Sequence, residues 1–453
     1  MKNLIFMMLL ALANSVFASE SERRTVEEIV SKIAEPTIPN YQISITKFGG
    51  KGDGAHDNVS AFQKAFQHLS KHGGGSLFIP AGDYYCDGPI HLISHLELKF
   101  EKGARLFFSS NYEKFLPAVE TSWEGTFIYN YSPFIYAKNC TNIKLSGEGV
   151  IDGEAKDTWA TWRAKQATAQ QRSRNYNHDQ TNLSQRVFGS GDYLRPQLIQ
   201  FFDCQNVLIE GIQLEDSPFW CLHLLRCEQV IVRGISFDAF NANNDGIDPE
   251  YSRNVLIEDV TFNNGDDNVA IKAGRDVEGR LAAHGTENIV VRNCSFKGLH
   301  ALVVGSEMSA GVQHVYVENC TFGGYLKRGI YLKSNPDRGG FIKHIYVNNV
   351  EFGETEDCLF ITSYYHNQGE GHVTVFEDIY FSNIKCKSAT NAGIVLQGFK
   401  KHKLEGVALK NIYIENAHTG LSMENTENIR MSDVVIGKPI GAPSAVGVNE
   451  NKN

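Results

Sequence analysis

Side chains that can transfer protons recur between residues 241 and 334 at roughly the interval of one structural repeat. In chain order they are Asp245, the adjacent pair Asp266 and Asp267, His300 and Lys333. Carboxyl groups held close together repel one another when ionised, which raises the pKa of at least one of them. One group then stays protonated near neutral pH beside ionised partners, as glycoside hydrolysis requires. The pattern therefore indicates an acid–base site.

A repeat organises the chain from about residue 140 onward, in which a polar turn leads into alternating hydrophobic residues. Its anchor positions are Ile143, Val207, Val230, Val255, Ile289, Val315, Ile345, Ile379, Val407 and Ile429, and after the long first interval they are 22 to 34 residues apart. Further apolar residues follow each anchor at five and seven positions, as Ile235 and Phe237 follow Val230, and residues two apart in a strand share a face. Leucine-rich repeats have a similar period, but their Leu and Asn signature is missing. The sequence therefore predicts an all-β fold, a single-stranded right-handed parallel β-helix with coils stacked at about 4.8 Å.

A helix is predicted to cover one end of this β-helix. Phe62, Phe66 and Leu69 lie on one apolar stripe, and Asp57 or Asn58 can cap the helix N-terminus. We therefore expect an N-terminal capping helix.

The cysteines give a separate indication about the core. The chain has nine, and Cys294, Cys320 and Cys386 occupy column positions that other repeats fill with Val, Ile or Phe. They are predicted to be buried thiols that act as small hydrophobic residues.

Both ends of the chain are predicted to lie outside the β-helix. Residues 1–18 contain Lys2, an apolar run and a small-residue cleavage pattern, as a secretory signal peptide does. The β-helix is assigned to residues 19–436 and a loosely ordered tail to residues 437–453. An exported protein, periplasmic or extracellular and monomeric, is expected. The formal net charge of −9 argues against nucleic acid as a partner, and the absence of a later long apolar run argues against a membrane.

Two long segments interrupt the repeat. Residues 110–136 contain Trp123, and residues 154–195 contain Trp159 and Trp162. Long loops on a regular scaffold often shape a binding cleft, although surface decoration is the alternative. If the segments close the cleft, action from the ends of a chain is expected.

The spacing also predicts which site residues meet. Asp266 and His300 each lie eleven residues after their anchors, so they are expected to stack in successive coils, with Asp245 one coil earlier. Each residue alone has a structural explanation: Asp245-Gly246 as a turn, Asp266-Asp267 as a solvated corner and His300 as a surface histidine. The functional interpretation depends on all of them meeting.

These motifs resemble those of glycoside hydrolase family 28, the polygalacturonase-like pectinases, and the resemblance covers residues 43–436. The family motifs Asn-Thr-Asp, Gly/Gln-Asp-Asp, Gly-His-Gly and Arg-Ile-Lys resemble, in order, Asn243-Asn244-Asp245, Gly265-Asp266-Asp267, Leu299-His300-Ala301 and Tyr331-Leu332-Lys333. The resemblance implies the pectin-lyase-like form of the β-helix, with neither cofactor nor metal.

The resemblance also implies roles for individual residues. Asp266 would protonate the glycosidic oxygen, while Asp245 and Asp267 activate a water for a single displacement with inversion. His300 would tune the acid, and Lys333 would hold a substrate carboxylate. Spacing alone does not predict inversion, because backbones one coil apart are about 4.8 Å from each other whereas inverting enzymes separate their carboxyls by about 6.5–9.5 Å.

Tyr331 departs from the family pattern, because the arginine usually found there grips a uronate through a charged fork. Arg328, Arg275 and Lys272 are close in sequence and could supply the missing cation. Alternatively, the sugar in that subsite differs from galacturonate. The residues predicted to contact substrate are Lys333, Tyr331, Arg328, Lys272 and Asn243. The expected substrate is a uronate-containing pectic glycan of polygalacturonan or rhamnogalacturonan type, with a branched or rhamnogalacturonan type favoured because of Tyr331. For the late tyrosine of the family, Phe399 and the pair Tyr364-Tyr365 are candidates.

Two other functions remain open from the sequence. A pectate lyase uses the same scaffold with Ca²⁺ and a basic residue, and the acids could imitate a Ca²⁺ cluster. A β-helix that binds polysaccharide without cleaving it is the third possibility.

Overall fold

The computed structural model describes residues 26–367 and 369–437. The predicted signal peptide and the tail from residue 438 lie outside the described residues. Within the described ranges, no helix combines the length and the apolar character needed to cross a bilayer.

Three stacks of parallel strands form the walls of a right-handed β-helix. The first contains Gln42–Ser44, Gly75–Ile79, Leu96–Phe100, Thr141–Gly147, Gln205–Glu210, Glu228–Arg233, Arg253–Glu258 and Thr286–Arg292. The second contains Gly82–Cys86, Ala104–Phe108, Val150–Asp152, Gln213–Glu215, Ser236–Asp238 and Ser295–Phe296. The third contains Ile90–His91, Ile135–Lys138, Ile199–Phe202, Leu222–Leu225, Ile247–Glu250, Asn264–Ile271 and Gly298–Val304.

The last coils differ from the earlier ones, because their strands continue around the corners from one wall to the next. These strands are Val312–Lys333, Phe341–Thr362, Val375–Gln397 and Val407–Glu424, and the short strand Arg430–Ile436 follows them. An antiparallel hairpin of Val119–Trp123 and Thr126–Asn130 stands apart from the walls. The helices are residues 26–32, Val59–Lys71, Ala167–His178 and Asp276–Leu281, with 3-10 turns at Ile45–Phe48, Tyr112–Phe115, Trp159–Ala164, Leu183–Gln185 and Tyr365–Asn367.

The predicted columns are confirmed in register. Each anchor from Ile143 to Ile379 pairs with the anchor of the next coil. The aromatic column seven positions on forms a stack whose ring centroids are 5.1, 4.9, 4.7 and 4.2 Å apart; its members are Phe237, Phe262, Phe296, Phe322 and Phe352. All nine cysteines are buried and free, as predicted for the three column members.

The polar turns of the repeat have a common backbone conformation. The residue immediately before each anchor has a positive φ, and these residues are Asn142, Asn206, Gln229, Asn254, Asn288, His314, His344, Asp378, Gly406 and Asn428. Asn, Asp, His and Gly tolerate this left-handed conformation better than branched residues do. A left-handed residue therefore turns the chain into the first wall at each coil.

The helix Val59–Lys71 covers the N-terminal end, as predicted. Phe62, Phe66 and Leu69 are buried in the main hydrophobic core. Asp57, which lies before the helix, accepts a hydrogen bond from the backbone nitrogen of Val59 at 3.0 Å.

Candidate active site

The predicted site lies on the outside of the third wall. Asp245 precedes the strand Ile247–Glu250, Asp266 and Asp267 lie on Asn264–Ile271, and His300 lies on Gly298–Val304. These strands are hydrogen-bonded neighbours, so the walls bring together residues that are far apart in sequence.

One predicted contact is wrong in register. Asp267, not Asp266, lies level with His300, because the pairing shifts between Asn264 and Asp267. A bulge adds a residue to one strand without adding one to its neighbour, so counting from the anchors misplaces every residue beyond it. Gly265 lies within the shift, where an added Cβ would come 2.6 Å from the carbonyl oxygen of Phe240.

Asp267 is held between two nitrogen donors. Lys333 Nζ donates to its Oδ2 at 2.8 Å, and His300 Nδ1 lies 2.7 Å from its Oδ1. Burial alone would raise the pKa of Asp267, but the Lys333 ammonium and then His300 outweigh burial and hold that pKa below its usual value. An ionised carboxylate can only accept, so Nδ1 carries the proton of this hydrogen bond.

Asp266 has the opposite electrostatic environment. Burial raises its pKa, and the neighbouring Asp267 carboxylate raises it further. Its side chain is 26% exposed, against 2% for Asp267. Its Oδ2 lies 3.5 Å from the amide of Asn243, and its Oδ1 lies 3.9 Å from His300 Nδ1. Asp266 therefore holds its proton more strongly than Asp267 does, and a ligand can reach it.

A second cluster adjoins this pair and contains Asp245. Lys272 Nζ lies 3.5 Å from each of the carboxyls of Asp245, Asp248 and Glu307. Burial raises the pKa of Asp245 well above its ordinary value, and the nearby Asp248 raises it further. Trp220 lies 4.6 Å from the ammonium of Lys272. Lys272, predicted to contact substrate, is therefore enclosed by carboxyls.

Sequence reasoning missed several residues of this region. Asp248 lies in the same Asp-Gly-Ile-Asp string as Asp245, so its spacing was a usable signal. Glu307 carried no such signal, and Arg195 resembled bacterial family members only as part of Arg195-Pro196, without a predicted place in the site. Arg195 is fully buried and donates to Asn243 Oδ1 and to the carbonyl of Ala242, both at 2.7 Å. It thereby fixes the turn that presents Asp245.

The aromatic residues beside Lys333 show which candidate for the late tyrosine of the family lies next to the acids. The Tyr365 ring is 4.9 Å from Lys333 Nζ, and the Tyr331 ring is 5.2 Å from it. Phe399 instead packs against Tyr364, with ring centroids 5.5 Å apart. Tyr365 is therefore the candidate next to the acids.

The two long segments pack against the wall of the site and are not surface decoration. Trp123 from the first stacks on Phe219 at 5.2 Å, and Phe219 stacks at 5.0 Å on Trp220, which contacts Lys272. From the second segment, Asn177 donates to the carbonyl of Arg275 at 3.0 Å. Both segments therefore contact the loop that follows the strand Asn264–Ile271, the first through Phe219 and Trp220 and the second directly.

The acids have little capacity for a metal ion. One oxygen each of Asp266 and Asp267 and a nitrogen of His300 lie within 4.8 Å of one another. However, Asp267 already accepts from Lys333, and Lys272 places a second ammonium beside Asp245. Ca²⁺ sites use carboxylate and carbonyl oxygens whose charge is not already balanced. The donor set thus favours proton transfer over the Ca²⁺ chemistry of a lyase.

The sequence and the fold are similar to those of known proteins. The sequence matches the family "Glycosyl hydrolases family 28" over residues 116–434. It is 28% identical over 394 residues to a probable polygalacturonase of Vitis vinifera, covering 83% of this chain and 75% of that protein. It is also 28% identical over 424 residues to an endo-polygalacturonase of Pectobacterium carotovorum subsp. carotovorum, covering 89% and 92%. Among solved structures, a hyperthermoactive exopolygalacturonase of Thermotoga maritima has a TM-score of 0.88 and 34% identity, covering 91% and 96%.

Proposed function

The chain belongs to glycoside hydrolase family 28, and on that premise we propose that it hydrolyses α-linked galacturonic acid residues in pectic polysaccharide, with inversion. The observation that carries this proposal is that Lys333 and His300 both hydrogen-bond to Asp267, whereas neither hydrogen-bonds to the adjacent Asp266. The pKa of Asp266 is raised, whereas Lys333 and His300 hold that of Asp267 below its usual value. Because the relatives are named polygalacturonases, a galacturonan is favoured over a rhamnogalacturonan.

Each residue has a defined part in the reaction. Asp266 gives its proton to the glycosidic oxygen as the bond from that oxygen to the anomeric carbon breaks. A water held by Asp267 and Asp245 attacks that carbon from the opposite face, and its proton passes to one of these two carboxyls. Asp267 suits this acceptance because the Lys333 ammonium and His300 favour its ionised form. Solvent exchange then returns Asp266 to its acid form and releases the proton from the base.

We further propose that the enzyme acts on chain ends, outside the cytoplasm, as a monomer. The Trp123 stack and the contact between Asn177 and Arg275 support closure of one side of the cleft by the two long segments. The exopolygalacturonase of Thermotoga maritima, at 34% identity, supports the same mode of action. The signal peptide predicted at residues 1–18 supports export.

Substitution Asp266→Asn tests the acid assignment. The amide cannot donate the required proton, so kcat on oligogalacturonides should fall by roughly 10²–10⁴-fold while the circular dichroism spectrum is unchanged. Asp259→Asn, at an exposed turn with a φ of 56° that Asn tolerates, is the matched control and should retain full activity. In the unaltered enzyme, activity should fall as pH rises through the raised pKa of Asp266, because the acid must be protonated.

Product analysis separates the competing functions. Proton NMR of the first product should show the anomer opposite to that of the substrate. An ultraviolet-absorbing unsaturated uronate whose formation a chelator abolishes would establish a lyase instead. Galacturonan left intact after long incubation, with binding retained in Asp266→Asn, would establish a binding protein.

A further inference from the structure

Arg195, the last residue of the second long segment, is a fully buried cation. It donates to Asn243 Oδ1 and to the carbonyl of Ala242, both at 2.7 Å, to the carbonyl of Pro218 at 3.0 Å and to Gln166 Oε1 at 3.2 Å. All four acceptors are neutral oxygens, and among the described residues no carboxylate forms an ion pair with Arg195. Burying a charge that no opposite charge contacts is unfavourable, so this arginine needs an explanation beyond packing.

The other cations near the acids do not share this property. Each has a carboxylate partner, and these cations are Lys272, Lys333, Arg275 and Arg338. Burial lowers the pKa of Arg195 to about 10, and the nearby Arg163 lowers it further, while the carboxylates of Glu124, Asp245 and Asp266 oppose that effect. Arg195 therefore stays charged at neutral and acidic pH, within the field of the two site acids.

Asn243 connects Arg195 to Asp266. Because the guanidinium donates to Oδ1 of Asn243, the amide nitrogen of Asn243 faces the other way, and it lies 3.5 Å from Asp266 Oδ2. Oδ1 of Asp266 accepts from the backbone nitrogen of Asp267 at 3.0 Å, which leaves Oδ2 for the acidic proton. The Asn243 amide thus donates to the oxygen of Asp266 that gives up its proton.

This contact should strengthen during the reaction. A hydrogen bond to an ionised carboxylate is stronger than one to a neutral carboxyl group. The guanidinium behind Asn243 polarises the amide, which makes its N–H a better donor. A donor held in place before the reaction, and aimed at charge that develops in the transition state, lowers the barrier without stabilising the ground state equally.

We propose that Arg195 is a positioning residue for the general acid: acting through Asn243, it stabilises the Asp266 carboxylate that forms as the glycosidic oxygen is protonated. The inference rests on the proposed function and goes beyond it, since it gives the second long segment a part in acid catalysis. Arg195 itself is enclosed by protein and does not touch the substrate.

Substitution Asn243→Gly tests the contact with Asp266 by comparing two leaving groups. Asn243 has a φ of 61°, which glycine adopts freely, so the turn is kept while the amide is lost. The leaving sugar of digalacturonate needs protonation, whereas para-nitrophenolate leaves without it. We expect kcat to fall by roughly 10-fold on digalacturonate and by less than about 3-fold on para-nitrophenyl α-galacturonide. Asn254→Gly, at another left-handed turn with a φ of 56°, is the matched control and should change neither value.

The pH profile gives a second measurement that a merely structural role would not change. Removing a donor to an ionised carboxylate raises its pKa, so the alkaline limb of kcat should move to higher pH in Asn243→Gly. The other charged or titratable groups that act on Asp266 are retained in this variant, and they are Asp245, Asp267, Lys272, His300 and Lys333.

Substitution Arg195→Met and the double variant with Asn243→Gly test whether the arginine acts through the asparagine. Arg195→Met should lower kcat on digalacturonate by roughly 10- to 100-fold, again with a smaller loss on the nitrophenyl substrate. Because both residues act on one contact, the loss in the double variant should be smaller than the product of the two single losses. Arg186→Met, which removes another buried arginine of the same segment, should keep the unaltered ratio of the two substrates.

Equal losses on both substrates in Asn243→Gly, an alkaline limb that does not move, or losses that multiply in the double variant would each overturn the inference. If Arg195→Met does not fold, as judged by circular dichroism, the two measurements on Asn243→Gly decide the question. Failure of the unaltered enzyme to release galacturonate from digalacturonate would instead refute the proposed function, whatever the variants show.

Discussion

Replacing Lys333 by methionine should lower the stability of the enzyme and change how its stability and activity depend on pH. The ammonium lies 2.8 Å from Asp267 Oδ2, and the two side chains are 5% and 2% exposed. At an effective dielectric constant of about 20, two unit charges at that separation attract by about 6 kcal/mol. The variant no longer buries a charged ammonium, and the desolvation cost saved in this way offsets part of the lost attraction. Breaking a buried ion pair typically costs about 3–5 kcal/mol. We expect the free energy of unfolding to fall by about that amount.

The pH dependence of this loss has a defined sign. The pKa of Asp267 is lower in the folded state than its ordinary value of 3.8, so the pair stabilises the protein above that pH. The difference between the unaltered protein and Lys333→Met should therefore be full at pH 7. It should shrink as pH falls below about 4, since protonation of Asp267 in the unfolded chain begins there.

Activity should respond in the same direction. Without the ammonium the pKa of Asp267 rises, so the acidic limb of the kcat profile should move to higher pH. A loss of about 3 kcal/mol corresponds to a shift of about 2 pH units.

Urea unfolding at pH 7 and pH 3, together with kcat between pH 3 and pH 8, measures both effects. Lys385→Met is the matched control, because Lys385 lies 2.9 Å from Glu351 but the two side chains are 71% and 59% exposed. Such surface pairs contribute at most about 1 kcal/mol. If Lys333→Met proved no less stable than Lys385→Met and kept the original acidic limb, the ionisation argument for Asp267 would be wrong.

Two further substitutions test the scaffold. Gly265→Ala places a Cβ 2.6 Å from the carbonyl oxygen of Phe240, so kcat should drop by about 10²-fold through misplacement of the acids. The control Gly323→Ala should keep full activity, because its Cβ would meet only Lys297 Cε, at 3.9 Å. Normal kcat in Gly265→Ala would show that the turn relaxes freely. Phe62→Ala should lower the free energy of unfolding by about 3–5 kcal/mol with kcat unchanged, because the ring is buried under the capping helix far from the acids. A Phe62→Ala protein as stable as one carrying the exposed substitution Lys64→Ala would mean that the helix does not seal the core.

Much of the fold was predictable because residues of the same type recur at the same positions of each repeat. Anchors from Ile143 to Val407 pair in the register that their pattern predicts. Cysteines could be placed in the core for the same reason, since they occupy positions that Val, Ile and Phe fill in other coils. Alternation along a strand depends only on local backbone geometry, so it can be read without knowing the partner strand.

The site was only partly predictable. The grouping of the acids with His300 and Lys333 followed from their order in successive coils, but the pairing of Asp267 with His300 did not, because it depends on a shift in the backbone ladder. Nor does the chain order show that Lys272 is enclosed by Asp245, Asp248 and Glu307. Their convergence depends on loops of different lengths folding over one wall.

The sequence by itself determined the period, the capping helix and the identity of the acids, since these depend on side-chain type and spacing along one chain. Only the tertiary structure decided which acid holds its proton more strongly and which cations contact the other. Those properties depend on burial and on distances between coils, as the contact between Lys333 and Asp267 shows. Electrostatic interaction varies with separation in space, and a few ångströms between coils correspond to tens of residues along the chain.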